Sequence, residues 1–233
     1  MEIQKYEEKI IKELKPIIET ILRNNPQPTI AAKSRAGAEI SDLLEKQFVI
    51  ETKKHTYFKN SASSPEGATK NPWDTMTYFN LNGHEELIWI DFKAIKISSK
   101  DSNPDIGTPD KVFDLIKQGA FYLVYIFVYY KETDKGLEFV KNSDNEFVKI
   151  YFLKDISHTF RRNPKNQLQV NISAKPEYRS RIEFINLLLE KVVESHKRQI
   201  EKSNRALKKF EESGIKDDLL AKNKEQEERI KKI

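Results

Sequence analysis

The chain has 233 residues, of which 38% are hydrophobic, and its formal charge is +5. This length is enough for one substantial core with an appended helical segment. The absence of cysteine excludes disulfides, thiolate zinc sites and a cysteine nucleophile. The pI near 9.0 fits a polyanionic partner, although many of the charges are ordinary solvated surface. With no apolar leader and no stretch of transmembrane length, we expect a cytoplasmic protein without a membrane partner.

The first half of the chain begins with two predicted helices. Apolar residues recur at helical spacing over residues 2–24, where Pro16 is expected to kink or split the helix. A second helix is predicted over 37–53, and residues 59–72 are predicted to form a loop because they are rich in Ser, Gly and Pro.

After this loop the hydrophobic pattern changes to a period of two. The pattern predicts strands over 75–81 and 85–96, joined at Asn82-Gly83, a dipeptide that accepts the positive φ angles of a tight hairpin. A polar loop follows, and a short helix is predicted to begin at Pro109. The run 121–130, FYLVYIFVYY, predicts a strand buried on both faces at the centre of the sheet. Further strands are predicted at 137–141, 147–153 and 167–173.

The C-terminal part of the chain is predicted to be helical from Tyr178, with an apolar stripe that fades into a Lys/Glu-rich tail. We therefore predict one folded domain over 1–200 and a charged helical tail over 201–233. The order α-β-β-α-β predicts an α/β fold with one central mixed sheet flanked by helices. The tail has too few regularly spaced aliphatic residues for a strong coiled coil, so dimerisation is expected to use the folded domain.

One predicted strand carries an acid and a lysine two residues apart. Successive side chains of a strand point to opposite faces, so Trp89, Asp91 and Lys93 share one face. Asp74 precedes the hairpin and is expected to fold back beside Asp91, and Glu39 on the second helix is a candidate third acid. Two carboxylates are hard ligands for Mg²⁺, and a lysine positions a water, which is the arrangement that a metal-dependent nuclease needs.

Ordinary structural explanations exist for each of these residues. Asp-x-Lys on a half-exposed strand is commonly a solvated face, and Glu39 also fits a surface glutamate on a helix. Asp105 and Asp110 form a competing pair of acids, but each follows a proline and is interpreted as a turn or helix-start residue.

The order Pro72-Trp73-Asp74 followed by Asp91-Phe92-Lys93 resembles the PD-(D/E)xK nuclease superfamily, in which an acid precedes a hairpin whose second strand carries acid-x-lysine. Trp73 departs from the pattern because it separates the proline from the aspartate. More specifically, the chain is similar over about residues 3–200 to a family of type II restriction endonucleases that cut an octanucleotide. The similar segments are SRAGAEISDLLE, KNPWD, IWIDFKAIKI, DSNPDIGT, FYLVYIFVYY and NPKNQLQVNISAKPEYR.

This resemblance implies a restriction-endonuclease-like fold and a homodimer that uses Mg²⁺ to cut double-stranded DNA. The implied target is an AT-rich palindrome, ATTTAAAT, cut at its centre to leave blunt ends. In the predicted mechanism, Asp74, Asp91 and the Phe92 carbonyl hold the metal and Lys93 orients the attacking water. The products would carry a 5′-phosphate and a 3′-hydroxyl.

A predicted strand at 167–173 alternates polar and aliphatic side chains, which also fits an ordinary edge strand. Asn and Gln pair with adenine in the major groove, so an amide-lined face suggests an A·T-rich target. The predicted base-reading residues are Asn166, Gln167, Gln169, Asn171 and Ser173. Predicted DNA-backbone contacts are Arg161, Arg162, Lys165, Lys175, Arg179 and Arg181, together with Lys33, Ser34 and Arg35 before the second helix and Lys96, Ser98, Ser99 and Lys100 after the catalytic strand.

Two other functions fit the same residues. A structure-selective nuclease would use the amide strand to recognise DNA shape, and its cleavage would not depend on a palindrome. A non-catalytic DNA-binding or scaffold protein would use Asp74, Asp91 and Lys93 as a structural ion pair and its tail for assembly, and it would show no metal-dependent cleavage.

Overall fold

The computed structural model describes residues 2–29, 36–65, 73–98, 104–119, 121–134, 136–156, 161–162, 167–170 and 174–232, with the backbone alone at 161–162. The helices are α1 Ile3–Asn24, α2 Ala36–Thr52, α3 Pro109–Lys117, α4 Arg181–Glu212 and α5 Ile215–Ile230. The strands are β1 Phe58–Ser63, β2 Thr75–Leu81, β3 His84–Lys96, β4 Tyr122–Thr133, β5 Gly136–Phe139, β6 Val148–Phe152, β7 Arg161–Arg162 and β8 Leu168–Gln169. The chain divides into two compact units, Met1–Leu187 and Leu188–Ile233. The predicted domain boundary after residue 200 stays a prediction.

The first unit is built on a mixed sheet in which β1, β2 and β3 are antiparallel neighbours and β3 pairs in parallel with β4. The other edge of β4 pairs antiparallel with β5 and β6. Parallel neighbours need a crossover, and α3 lies within the β3–β4 connection. The predicted fold class, a central mixed sheet with flanking helices, is confirmed.

The hydrophobic core explains why β4 is the most apolar strand. Every residue of β4 from Tyr122 to Tyr130 is buried, as predicted. Helix α2 packs against β1 and β3, and α1 packs against α2 and β6. In β3, Ile88, Ile90 and Phe92 are almost fully buried, and the Phe92 ring makes an edge contact with Phe48 of α2 at 6.3 Å between centroids.

One prediction for the first unit is wrong, and one of the two alternatives given for Pro16, a split helix, is excluded. Residues 58–63 form strand β1, where the sequence predicts loop from residue 59. Backbone pairing with β2 and burial of Phe58 outweigh the weak β-propensity of this small polar run. Helix α1 is not divided at Pro16, since it runs unbroken from Ile3 to Asn24.

The start of α4 is set by a capping box. The Ser180 backbone N–H donates to Glu183 Oε2 at 2.7 Å, and the Glu183 N–H donates back to Ser180 Oγ at 3.3 Å. This reciprocal pair explains why the helix begins at Arg181, three residues after the predicted start at Tyr178. All residues of α5 are exposed, as expected for the tail. In the part of the chain that the structure describes, none of the helices combines the length and apolarity needed to cross a bilayer.

A buried ion pair joins α1 to the turn after β6. The Lys154 ammonium lies 2.8 Å from Glu7 Oε2 and 2.7 Å from Asp155 Oδ1, and it donates to the Arg179 carbonyl at 2.8 Å. The Tyr122 hydroxyl donates to the other Glu7 oxygen at 3.0 Å. The side chains of Lys154 and Glu7 are only 2% and 4% exposed, so both charges depend on these partners.

Candidate active site

Three hydrogen bonds hold Asp74, two with β3 and one with Ser64, which follows β1. Its backbone N–H donates to the Ile90 carbonyl at 2.8 Å, and its own carbonyl accepts from the Ser64 N–H at 2.7 Å. Its carboxylate Oδ2 accepts from the Phe92 N–H at 2.7 Å. Because Phe92 follows Asp91 directly, these contacts place the Asp74 carboxylate beside Asp91 at the start of the hairpin.

Asp91 and Lys93 form an ion pair on the face of β3 opposite to the Phe92 side chain. The Lys93 ammonium lies 2.6 Å from Asp91 Oδ1, and the Asp91 side chain is only 12% exposed. The structure therefore brings together Asp74, Asp91 and Lys93, the three residues that the strand alternation and hairpin predict to converge.

The two carboxyl groups oppose each other's ionisation. Burial raises the pKa of Asp91 from its ordinary 3.8 to about 6; the Lys93 charge opposes this rise and the Asp74 charge adds to it. Burial also raises the pKa of Asp74, while the Phe92 N–H and then Lys93 lower it and Asp42 raises it. Two buried, mutually repelling carboxyls are the environment in which a bound cation stabilises the ionised forms.

Helix α2 contributes polar groups that the sequence analysis missed. The Ser41 hydroxyl donates to the Phe92 carbonyl at 3.0 Å. Burial raises the pKa of Glu45, hydrogen bonds from Ser63 and Ser64 lower it, and the Asp74 charge raises it further. Glu45 therefore lies within the electric field of the acidic pair.

Glu39, the predicted third acid, is half-buried in the first turn of α2 and has its own interaction partner. Glu39, Asp42 and Glu45 follow one another at intervals of three residues, so they run along one side of the helix. This spacing is the signal by which Glu45 could have been found, but it does not tell which of the three acids approaches the strand.

Aromatic side chains lie on the same part of the sheet as the acidic pair. Trp89 shares the Asp91 face of β3 and packs edge-to-face on Trp73 with 4.8 Å between centroids. Tyr125 lies opposite Asp91 in the parallel β3–β4 register and is buried. Burial raises the pKa of Tyr125 well above its ordinary value, and the Asp91 and Asp74 charges add to this rise, so its hydroxyl stays protonated beside the acids.

Residues 2–210 match the model of the SwaI-like family, described as SwaI restriction endonuclease. The chain belongs to the SwaI-like restriction endonuclease family. No curated protein matches it. Among solved structures it is similar to the NlaIV restriction endonuclease, with a TM-score of 0.44 and 13% identity over 70% of this chain. This similarity covers 66% of the NlaIV chain, just under two thirds of its length.

Restriction endonucleases generally use divalent metal ions, so the SwaI-like site has to be tested for such a group. Among the residues that the structure describes, no cluster of three or more His, Asp or Glu is arranged to hold a metal. The donor set of Asp74, Asp91 and the Phe92 carbonyl nevertheless fits a hard cation. All three donors are oxygens, and the buried Asp91 Oδ1 has no hydrogen-bond partner besides its ion pair with Lys93.

Three of the predicted DNA-contacting residues lie at or near the surface. Lys96, at the end of β3, is half-buried and forms an ion pair with Glu132 at 2.8 Å. Ser98 and Lys175 are exposed. These placements leave Ser98 and Lys175 accessible to a nucleic acid.

Arg179 and Arg181 have partners inside the protein. The Arg179 guanidinium donates to the carbonyls of Lys154 and Ile156 and has a 12% exposed side chain. Arg181 pairs with Glu86 at 3.1 Å and stacks over the rings of Phe121 and Tyr122 at 4.8 and 4.7 Å. Their predicted phosphate contacts stay a prediction.

The amide-bearing segment forms one strand of a two-stranded ribbon. Strand β8 pairs antiparallel with β7, so that Arg161 lies opposite Gln169 and Arg162 opposite Leu168. Leu168 and Val170 are buried, whereas Gln167 and Gln169 are half-buried, which agrees with the predicted alternation. Gln169 also donates to Asp105 at 3.3 Å. The remaining predicted contacts, Lys33, Ser34, Arg35, Ser99, Lys100, Lys165, Asn166, Asn171 and Ser173, lie outside the described residues.

The raised pKa of Asp91 predicts how the stability of the metal-free protein depends on pH. The folded state holds the Asp91 proton up to about pH 6, whereas the unfolded state loses it near 3.8. The folded state therefore binds more protons between these values, so the free energy of unfolding falls as pH rises through this window. A shift of this size corresponds to about 3 kcal/mol lost between pH 4 and pH 7.

Urea unfolding of wild type and Asp91→Asn across this range, in EDTA, measures the effect. The stability of Asp91→Asn relative to wild type should increase by about this amount from pH 4 to pH 7, since the amide does not ionise. Parallel pH profiles for the two proteins would show that Asp91 titrates normally.

Proposed function

We propose that this chain is a type II restriction endonuclease that hydrolyses phosphodiester bonds of double-stranded DNA with Mg²⁺. The observation that carries the proposal is the convergence of the Asp74 carboxylate with the Asp91–Lys93 pair, in a chain of the SwaI-like family. A purely structural role for the three residues explains this convergence less well. It would retain two repelling carboxyls at one buried position, which costs stability.

In this proposal, Asp74, Asp91 and the Phe92 carbonyl hold the metal. Bound Mg²⁺ supplies positive charge that neutralises the scissile phosphate and lowers the pKa of a water. The Phe92 N–H and the Ser41 hydroxyl orient two of the three donors, because one binds the Asp74 carboxylate and the other binds the Phe92 carbonyl.

Lys93 has the second chemical role. Its ammonium, tied to Asp91, orients the attacking water and offers a proton donor beside the phosphate. The water oxygen bonds to phosphorus in line with the leaving 3′ oxygen and gives up a proton to solvent. The bond between phosphorus and the 3′ oxygen breaks, and the 3′ oxygen takes up a proton. The products are therefore a 5′-phosphate and a 3′-hydroxyl.

The proposed target is the palindrome ATTTAAAT, cut at its centre to leave blunt ends. A palindrome has two-fold symmetry, so a homodimer presents one site to each strand. Gln167 and Gln169 flank the buried Leu168 on β8, and amide side chains favour adenine. We infer that the protein acts on DNA in the cytoplasm.

Incubation of the purified protein with AT-rich plasmid DNA, in Mg²⁺ or in EDTA, tests the proposal once the ends are sequenced. Discrete Mg²⁺-dependent blunt ends at ATTTAAAT are expected. Discrete cuts at another palindrome would replace the target but keep the enzyme class. Smeared products or cleavage of branched DNA would instead indicate a structure-selective nuclease. Intact DNA that the protein binds in a salt-sensitive way would indicate a non-catalytic DNA-binding protein.

Two glutamates on α2 allow a matched test of the third acid. Glu45→Gln removes a charge that acts on Asp74, and we expect it to lower the cleavage rate at limiting Mg²⁺ by about 10-fold to 100-fold. Glu39→Gln, at the predicted position one and a half turns earlier, should have the smaller effect. Cleavage rates measured against Mg²⁺ concentration compare the two variants. A larger loss of cleavage rate in Glu39→Gln would identify Glu39, instead of Glu45, as the third acid.

A further inference from the structure

Helix α4 exposes large apolar side chains from Leu189 to Phe210. Leu189 is 40% exposed, Val193 53%, Ile200 60%, Leu207 61% and Phe210 62%. From His196 to Lys232 every described residue is exposed, so the large apolar side chains of this stretch face solvent. An isolated helix in water is marginal, because most helix stability in proteins comes from packing of an apolar face.

The five residues, named here the α4 seam, follow a heptad pattern. Successive members of the seam are four, seven, seven and three residues apart. This spacing places Val193, Ile200 and Leu207 at heptad position a. Leu189 and Phe210 then occupy position d, the other core position. A 3.5-residue repeat keeps a stripe facing a partner helix along its whole length, whereas a helix lying on a globular surface follows 3.6. The seam is therefore shaped for another helix.

The composition of the seam disfavours other partners. Between His196 and Phe210, Lys and Arg outnumber Glu six to one, but these basic residues lie outside positions a and d, so a nucleic acid would contact another face of the helix. Among the described helices, none is long and apolar enough to span a bilayer.

A second copy of α4 supplies a helix of matching length and repeat. Two copies aligned in parallel and in register stack Val193 on Val193, Ile200 on Ile200 and Leu207 on Leu207, and β-branched residues at position a favour two strands. An antiparallel pair would set at least one of these residues against polar His196 or Ser203, which occupy the remaining d positions. The parallel arrangement keeps the apolar layers together.

The exposed area is sufficient for a stable dimer. With about 200 Å² for each fully exposed side chain of this size, the seam offers roughly 550 Å² of apolar surface per copy. A stable interface buries about 800 Å² per partner, of which somewhat more than half is apolar.

We propose that the α4 seam is a dimerisation surface, and that it pairs in parallel with the same seam of a second copy as a two-stranded coiled coil. This inference rests on the proposed function, because it identifies the surface through which the proposed nuclease would form its homodimer. Its test measures mass and cross-linking instead of cleavage.

Sedimentation equilibrium of the full chain measures the dimer directly. Wild type should be dimeric, and the double variant Ile200→Ala and Leu207→Ala should raise the dimer dissociation constant at least about 100-fold, because four core side chains per dimer are truncated. The matched control is Lys202→Ala with Lys209→Ala, on the same turns but outside the seam, which should leave the constant unchanged. A monomeric wild type, or a seam variant as dimeric as wild type, overturns the proposal.

A second measurement does not depend on weakening the helix. The chain has no cysteine, so Ser203→Cys introduces a single thiol at a d position with little change in size. Mild oxidation should link Ser203→Cys into covalent dimers but leave Lys202→Cys mostly monomeric; equal yields overturn the parallel pairing. DNA cleavage without seam dimers would refute this inference alone, and seam dimers without cleavage would refute the proposed function alone.

Discussion

Replacing Lys93 with alanine should lower the rate of DNA cleavage at least about 1,000-fold, because the proposed site loses the group that orients the attacking water. DNA binding should change little, since Lys93 lies in an ion pair with Asp91 at a half-buried position on β3. Single-turnover cleavage in Mg²⁺ measures the first effect, and a mobility shift in EDTA measures the second.

Lys131 provides the control for this experiment. It also forms a lysine–carboxylate pair on the sheet, with Glu138 at 2.9 Å, but it lies at the far end of β4. Lys131→Ala should cleave at the wild-type rate. Normal turnover in Lys93→Ala would remove Lys93 from the mechanism, and an equal loss in both variants would indicate general damage to the sheet.

Replacing Lys154 with methionine should destabilise the protein by about 3–5 kcal/mol, because Glu7 would keep a buried charge without its partner. For a chain of this length, such a loss lowers the melting temperature by roughly 10 °C. Thermal and urea unfolding measure it. Glu7→Gln added to Lys154→Met should recover part of the loss, since the orphaned charge is then removed.

The matched comparison is Lys15→Met. Lys15 pairs with Glu146 at 3.0 Å, but the two side chains are 43% and 38% exposed. Exposed pairs contribute at most about 1 kcal/mol, so this variant should unfold close to wild type. If both variants lose the same free energy of unfolding, burial does not increase the contribution of the Glu7–Lys154 pair to stability.

The sequence predicts the central strands and the Asp74, Asp91 and Lys93 convergence because these features depend on local rules. Strand alternation puts Asp91 and Lys93 on one face, and the Asn82-Gly83 turn returns the chain to Asp74. Both Asn82 and Gly83 have positive φ angles, of 55° and 83°, as this turn requires. The proposed catalytic pattern can therefore be predicted from one short segment.

Features that depend on tertiary packing are not readable in this way. Glu39, Asp42 and Glu45 are equivalent by spacing, and only the docking of α2 on β1 and β3 brings Glu45 near Asp74. Arg179 shows the same limit, because the sequence gives its charge but not the carbonyls of Lys154 and Ile156 that it binds.

The helical tail shows a limit of a different kind. The heptad pattern begins at Leu189, so three of its five residues precede the tail at 201–233, which alone has too few regularly spaced aliphatic residues for a strong coiled coil. The exposure of Ile200 and Leu207 shows that this stripe is available to a partner. A stripe packed against the chain's own core would not indicate a binding surface.

The alternation of β3 also constrains how this enzyme can evolve. An insertion of one residue between Gly83 and Asp91 would turn Phe92 toward the acidic face and drive Asp91 and Lys93 into the apolar core, so fold and chemistry would be lost together. Insertions at the exposed Asn82-Gly83 turn leave the strand pairing intact. We therefore expect changes of length to be tolerated better at that turn than within β3, where they would move Asp91 and Lys93 to the opposite face.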